Sequence, residues 1–354
     1  MDFLVRTAKG IGKRALRYHY SRNHLGAARR TLEMLERRDG PLNAADRSRC
    51  DAYAVEVLGQ AKFAPWLYVY SHVAGGFREG WIPDNFFDEC VLPHNSGSHG
   101  ELSRFRSLNA LLLDAPEFPD LAVQINGMLI GRDGRTVADA DITGVLFGQS
   151  DRIVFKSDAT QSGLGVQVID RAGFDPARIG ALGPGVFQPF IRQHEAFRRI
   201  GNSPAVTTLR LTTVTDDTGR PMLRAGFLCI GRAKDEHIRA GTDVLVPVDP
   251  ATGEMSPVGY VPDWQPTDRH PDSNEIFAGY QLPGFDSCRA VALRCHARLP
   301  FVRCIGWDLT VDDQGAVRIL EWNGGHTGIK FSEATQGPCF ADLGWQRLRR
   351  PAWA

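Results

Sequence analysis

The chain has 354 residues, and its 41 Lys and Arg balance 41 Asp and Glu, giving a formal charge of zero. With 43% apolar and 23% charged residues and a mean hydropathy of −0.24, its make-up is that of an ordinary soluble domain. This composition excludes a disordered chain, a coiled coil, a collagen-like fibre and a small disulfide scaffold, and the neutral balance excludes a surface that wraps nucleic acid.

The neutrality is a cancellation. Residues 1–38 hold ten Lys and Arg against three acids, net +7, so the remaining 316 residues carry net −7. Leu4, Ala8, Ile11, Ala15 and Tyr18 recur at helical spacing, with Arg6, Lys9, Lys13, Arg14 and Arg17 on other faces. Two readings are open for this segment. A basic amphipathic helix suits an anionic membrane surface, which predicts a peripheral contact at the inner face of the membrane. The same pattern also describes an arginine-rich helix packed on the main body with a solvated outer face. No run reaches the ~18 apolar residues of a membrane span.

Helix is predicted over 3–38, stopped by Asp39-Gly40-Pro41, and again over 44–61. The segment 66–92 mixes aromatics with glycines and Pro83. His94 to Gly100 reads as a polar loop, and 101–113 returns to helical character. β-type runs follow between Leu121 and Ala140, around Gly127 and Asp133-Gly134. Short strands are predicted at 153–156, 166–169 and 186–191. Residues 206–215 and 222–230 form a hairpin around Asp217-Thr218-Gly219. A helix is predicted over 285–299, and a second hairpin pairs 305–311 with 316–322. The expected class is α+β with antiparallel sheets, not alternating βα units. The expected divisions are a basic helical segment over 1–65, a small lobe over 66–150 and the main body over 151–345. The seven cysteines are scattered with no C-x-x-C pair, which fits a reducing cytoplasm and argues against a structural zinc site.

Three constellations carry chemistry. In the first, Lys156 ends a strand and Ser157-Asp158-Ala159-Thr160-Gln161-Ser162-Gly163-Leu164-Gly165 follows as a small polar loop. Phosphate oxygens suit a fixed ammonium beside a loop whose backbone N–H groups approach closely. The lysine precedes the glycines and no helix follows at once, so this is neither a Walker loop nor a Rossmann fingerprint. A hairpin loop with a surface lysine reads the same residues blandly. Only six lysines stand against 35 arginines, which makes a lysine here a choice to explain.

In the second, Asp308 lies on one strand of the C-terminal hairpin, with Glu321 and Asn323 on the next. A two-residue turn at Asp313-Gln314 places Asp308 opposite Ile319. Glu321 and Asn323 then share its face by the period of two. Two carboxylates and an amide oxygen on one face suit Mg²⁺, whereas surface carboxylates paired with arginines are the alternative. In the third, Arg210 sits inside the β-branched run Thr207 to Thr212. There it meets either an anion or a structural carboxylate.

In chain order, Lys156 with its loop, Gln188-Pro189-Phe190-Ile191 with His194, Thr208-Leu209-Arg210, Ile305-Gly306-Trp307-Asp308 and Glu321-Trp322-Asn323 resemble the ATP-grasp superfamily. In particular they resemble the sugar-transfer associated ATP-grasp family found with polysaccharide biosynthesis, over roughly residues 150–345. The resemblance implies two α+β lobes gripping ATP, with ATP and Mg²⁺ as cofactors. Lys156 would hold the α- and β-phosphates and act in catalysis with Arg210, which would face the γ-phosphate or an acyl-phosphate under formation. Ser157, Ser162, Gly163 and Gly165 would belong to a lid over the nucleotide. Gln188, Phe190 and Ile191 would form the hinge, with backbone near Phe190 and Ile191 reading adenine. Asp308, Glu321 and Asn323 would hold Mg²⁺, and Gly324 to Thr327 would lie near the acceptor.

The chain departs from the family's pattern where an earlier, small-lobe lysine is usual. It offers only Arg104 or Arg106 there. The resemblance implies an ATP-dependent ligase of the carboxylate–amine type, acting on a small-molecule carboxylate and a nucleophilic acceptor and working through an acyl-phosphate. A kinase-like phosphotransferase and a non-catalytic nucleotide-binding module of a membrane assembly are the alternatives. His194, His237, His270 and His326 read either as substrate contacts or as satisfied histidines. Cys304 with His296 reads more simply as core than as a catalytic dyad.

Overall fold

The structure, a computed structural model, describes residues 23–160, 165–232 and 242–351. The basic stretch Met1 to Tyr20, Ser162, Gly163 and His237 lie outside the described residues. Among those described, no helix is long and apolar enough to cross a membrane.

The chain divides into two compact units. One holds the described residues up to His94 together with 328–351, and the other is Asn95–Thr327. The C-terminal residues group with the helical part, where Trp345 packs against Phe87 and Phe340.

The first unit is helical. A helix over 23–39 ends at Gly40, whose φ of +91° only glycine adopts without strain. Asn43 caps the next helix, Ala44–Glu56, by accepting the Asp46 N–H at 2.8 Å. The helix Ala64–Val73 starts with Pro65 in its first turn, where a missing N–H costs nothing. Tyr53, Trp66, Tyr70, Phe77 and Trp81 form a run of edge-on and tilted ring contacts between these elements.

Within this unit Glu333, on the helix Lys330–Thr335, is completely buried. Its two carboxyl oxygens accept the Ile82 N–H at 2.6 Å and the Cys339 N–H at 2.7 Å. Burial outweighs those donors and pushes the carboxyl up from 4.5 to about 7. The folded chain thus holds this proton more tightly than the unfolded one. The associated stabilisation is complete below pH 4.5 and is lost as pH rises through about 7. Thermal melts between pH 5 and pH 8 should show the midpoint falling with pH, and Glu333→Gln should remove most of that slope. A wild-type midpoint that does not fall over this window would contradict the assignment.

The second unit contains two antiparallel sheets, as the α+β reading expects. Strands β1 (Ala122–Ile125), β2 (Met128–Gly131), β3 (Arg152–Ser157), β4 (Val166–Asp170) and β5 (Gly185–Pro189) form the smaller, in the order β2-β1-β5-β3-β4. Ile153, Phe155 and Phe187 point to one face, against Leu146 and Phe147 of the helix Ile142–Phe147. By the period of two, Lys156 and Gln188 point to the other face.

The larger sheet is built from β6 (Thr208–Thr215), β7 (Pro221–Ile230), β8 (Val244–Val248), β9 (Gly259–Val261), β10 (Gln265–Thr267), β11 (Cys304–Val311) and β12 (Val317–Asn323). Its order is β10-β9-β8-β7-β6-β11-β12. Leu209, Leu211, Leu228, Ile230, Ile305, Trp307 and Leu309 lie in one core with Phe285, Cys288, Ala292 and Cys295 of the helix Phe285–His296. The opposite face carries Arg210, Gly306 and Asp308.

The hairpin β11–β12 corrects the predicted register. Its turn is longer than Asp313-Gln314, since Val311 pairs with Val317 and Leu309 with Ile319. One extra residue, Leu320, then bulges, so that Asp308 pairs with Glu321 and Gly306 with Asn323. Val317 and Ile319 face the core. Without the bulge Glu321 would follow them inward by the period of two. The bulge turns Glu321 and Asn323 to the face of Asp308 and sends Trp322 inward, where it is 1% exposed. Convergence of the three ligand candidates therefore occurs, but by a route the regular-hairpin argument missed.

Candidate nucleotide- and metal-binding site

The site is assembled from strand positions. Arg210 on β6 and Asp308 on β11 are direct cross-strand partners. The guanidinium binds the carboxylate through both its ε-nitrogen and one terminal nitrogen, the latter at 2.8 Å. A third nitrogen donates to the Thr327 carbonyl at 3.2 Å. Gly306 makes this possible. A Cβ there would come within 2.9 Å of the Thr327 oxygen and 3.4 Å of the Arg210 side chain. Asn323 donates weakly to Asp308 at 3.3 Å and to Glu321 at 3.5 Å. Asp308, Glu321 and Asn323 thus stand together in a set of oxygen donors that fits Mg²⁺.

Three cations surround this set. Lys156 donates to the Leu320 carbonyl at 3.2 Å, which is the carbonyl of the bulged residue. Arg106 is 6% exposed and meets Glu321 at 3.2 Å, while its other terminal nitrogen donates to the Ser157 carbonyl at 2.7 Å and to Thr160 Oγ1 at 3.0 Å. Arg210 is the third. Of the two arginines considered for the missing lysine, Arg104 instead pairs with Glu101 at 2.9 Å and reaches the Ala159 carbonyl. Only Arg106 faces the carboxylates.

The electrostatics follow from burial and pairing. Burial pushes the Asp308 carboxyl up to about 6 against the pull of Arg210. Burial acts the same way on Glu321, but Arg106, Lys156 and Arg210 together hold it below its ordinary value. Lys156 is lowered, chiefly by desolvation and partly by Arg106. The pair with Asp308 outweighs desolvation at Arg210 and raises it. Cys229, on β7, also lies within the field of Arg210 and Asp308, and its thiol is raised by burial. No sequence signal pointed to it.

The start of the polar loop is held in place. Asp158 accepts the Ser107 N–H at 3.0 Å and the Ser107 hydroxyl at 2.6 Å. The Ala159 N–H donates to the Arg104 carbonyl at 2.8 Å, with Ala159 in the left-handed region at φ 57°. Gly165 closes the loop at φ +80°. Ser157 and Gly165 are therefore joined to the residues around Arg106, by an N–H···O bond of 3.0 Å between them and the Arg106 contact with Ser157.

Gln188 shares the Lys156 face and donates to Asp120 at 2.7 Å. Phe190 and Ile191 are placed differently. They line a cavity of about 1350 Å³ with Arg132, Arg192, Arg318 and Val145, and none of Lys156, Arg210, Asp308, Glu321 or Asn323 lines it. The loop after Asn323 packs backbone to backbone on the 3₁₀ segment Gly97–Arg104. A Cβ on Gly100 would sit 2.4 Å from the Gly324 carbonyl. His326 beside it is exposed.

The remaining histidines have structural duties. His194 accepts the Ala196 N–H and caps the helix Glu195–Gly201. His270 accepts N–H groups of Asp272 and Ser273. His296 bonds Thr213 and the Val302 carbonyl inside the core, with its pKa pushed down by burial to about 4. It makes no dyad with Cys304.

Residues 176–342, just under half of the chain, match the family described as sugar-transfer associated ATP-grasp. No curated protein matches the chain. Solved structures resemble it distantly. The biotin carboxylase domain of Hydrogenobacter thermophilus 2-oxoglutarate carboxylase, solved with MgADP and bicarbonate, is 9% identical with a TM-score of 0.41 over 70% of this chain and 45% of that one. The ATP-grasp ligase PsnB with its minimal precursor is 13% identical, TM-score 0.40, over 71% and 62%. The L-amino acid ligase from Bacillus licheniformis is 13% identical, TM-score 0.40, over 71% and 49%. The chain thus spans roughly half the length of the solved proteins it matches.

Proposed function

We propose that the protein is an ATP- and Mg²⁺-dependent ligase, a reading supported by the match of residues 176–342 to the sugar-transfer associated ATP-grasp family. It joins a small-molecule carboxylate to an amine or related nucleophile through an acyl-phosphate. The observation that carries this reading is the convergence of Asp308, Glu321 and Asn323 with Lys156, Arg106 and Arg210 in one place. The oxygen set fits Mg²⁺, which when bound would supply charge neutralisation to the phosphates.

The chain's own residues then position and neutralise. Lys156 and Arg106 hold phosphate oxygens, and Arg106 takes the place of the small-lobe lysine. Arg210 faces the transferred phosphoryl group. Gln188, Phe190 and Ile191 hold the base side of the nucleotide, and Ser157 to Gly165 cover it. No covalent intermediate on the protein is needed, because phosphoryl transfer is governed by alignment and charge. The carboxylate oxygen attacks the γ-phosphorus, ADP leaves, and the nucleophile then displaces phosphate from the acyl carbon. Work on a cell-surface polysaccharide precursor, in the cytoplasm or at the inner membrane face, agrees with the family's association and with the +7 charge of residues 1–38.

The test combines protein, Mg-ATP, small-molecule extract of the source cells and hydroxylamine. A ligase should form an acyl hydroxamate with one ADP and one phosphate per turnover, detected by mass spectrometry. A stable phosphorylated acceptor without hydroxamate would instead establish a phosphotransferase.

A further inference from the structure

The helical unit contains a second cluster of ligand atoms, unrelated to the carboxylate face of the large sheet. His24 lies on the helix over 23–39. Asp84 and Asp88 are four residues apart on the consecutive helical turns Asp84–Phe86 and Phe87–Val91, and so share a face. His24 Nδ1 is 3.3 Å from Asp84 Oδ2, and Nε2 is 3.9 Å from Asp88 Oδ2. One ligand atom from each residue lies within 4.8 Å of the others. The three side chains are only 16, 8 and 10% exposed, so the cluster is largely withdrawn from water.

A separate observation points into the same place. The Tyr70 hydroxyl is completely buried and finds no hydrogen-bond acceptor. It sits at the Asp84 backbone, and its pKa is raised chiefly by burial and then by the charges of Asp84, Glu333 and Asp88. A buried donor without an acceptor costs about 1–3 kcal/mol, and an oxygen bound to an ion in this cluster would receive it.

We propose that His24, Asp84 and Asp88 form a binding site for a first-row divalent transition ion of the Zn²⁺ or Mn²⁺ kind, with the Tyr70 hydroxyl donating to a metal-bound water. The chemistry selects the ion. An imidazole beside two carboxylates favours such metals over Mg²⁺ and Ca²⁺, which prefer oxygen throughout. Zinc bonds of about 2.0–2.2 Å place a nitrogen and an oxygen of one coordination sphere roughly 3.0–3.6 Å apart. The 3.3 Å between His24 and Asp84 falls in that interval. The ion would tie the first described helix to the turns at 84–91, which makes its role structural and independent of any nucleotide.

The full-length protein, stripped with a chelator and then dialysed, is titrated with ZnCl₂ by calorimetry. One ion per chain should bind, and the melting temperature should rise with it. Binding should weaken at least the ~100-fold that even an outer metal partner can account for, both in His24→Ala and in Asp88→Asn. Glu321→Gln should leave it intact. Absence of binding, or Zn²⁺ binding unchanged in both variants, would overturn the proposal and leave an imidazole–carboxylate cluster. Should either variant fail to fold, crystals of the wild-type protein grown with Zn²⁺ decide the matter. An anomalous peak beside the His24 imidazole supports the site, and its absence there refutes it.

Discussion

Glu321→Gln is expected to lower nucleotide affinity in the presence of Mg²⁺ by about 100-fold or more, on the order of 3 kcal/mol. Glu321 faces Arg106 at 3.2 Å and is held ionised by Arg106, Lys156 and Arg210. Glutamine preserves the shape and removes the charge, leaving Asp308 as the one carboxylate in the proposed metal set. Three cations then surround a single anion, which disfavours a further divalent ion. The measurement is a thermal-shift titration with ATP, run once with Mg²⁺ and once with a chelator. The variant should lose the magnesium-dependent part of the shift. An unchanged shift in Mg²⁺ would remove Glu321 from the metal set.

Deleting Leu320 should leave the aim of the site intact. The deletion makes the hairpin regular, and Glu321 then follows Ile319 directly and still meets Asp308, so by the period of two it keeps that face while Trp322 stays inward. What is lost is the Leu320 carbonyl that accepts from Lys156. Loss of a hydrogen bond to a charged group costs about 1.5–3 kcal/mol, part of a typical stability of about 5–15 kcal/mol. A folded protein with a melting temperature lowered by roughly 3–10 °C is expected. Leu320→Ala keeps the carbonyl and should cost no more than about 1–2 kcal/mol. An insoluble deletion protein beside a folded alanine variant would show that Glu321 needs the extra residue to reach the face of Asp308. Circular dichroism melts of the three proteins decide between these outcomes.

Much of the second unit was legible in the sequence. A dense β-branched run gave β6, and the glycine turn and apolar return after it gave β7 and their pairing. Lys156, Arg210, Asp308, Glu321 and Asn323 were each readable as unusual residues inside strand-like runs. Three things were harder. The pattern in β12 changes parity, with Val317 and Ile319 buried and then Trp322. That switch is the trace of the bulge, but it needs the pairing partner to be recognised. The strand β8 is interrupted by Pro247, which masks its β character. Arg106 has no local signature, because its meaning comes from Ser157 and Glu321, each more than fifty residues away. His24 and Asp84 are likewise sixty residues apart, beyond the reach of any spacing rule.

The charged groups of the proposed site already hold one another, and this shapes how it would fill. Arg210 is committed to Asp308, Arg106 to Glu321, and Lys156 to a backbone carbonyl. A metal arriving alone must compete with guanidinium groups for its carboxylates. A nucleotide arriving alone must draw those cations from partners that have no replacement. When both arrive, the carboxylates pass to the metal and the cations pass to the phosphates, so each ligand supplies what the other displaces. On the proposed reading, occupancy would be an exchange of counter-ions, with positive heterotropic coupling between Mg²⁺ and ATP that acts equally in both directions. Such a protein would bind either ligand by itself weakly and respond to their complex.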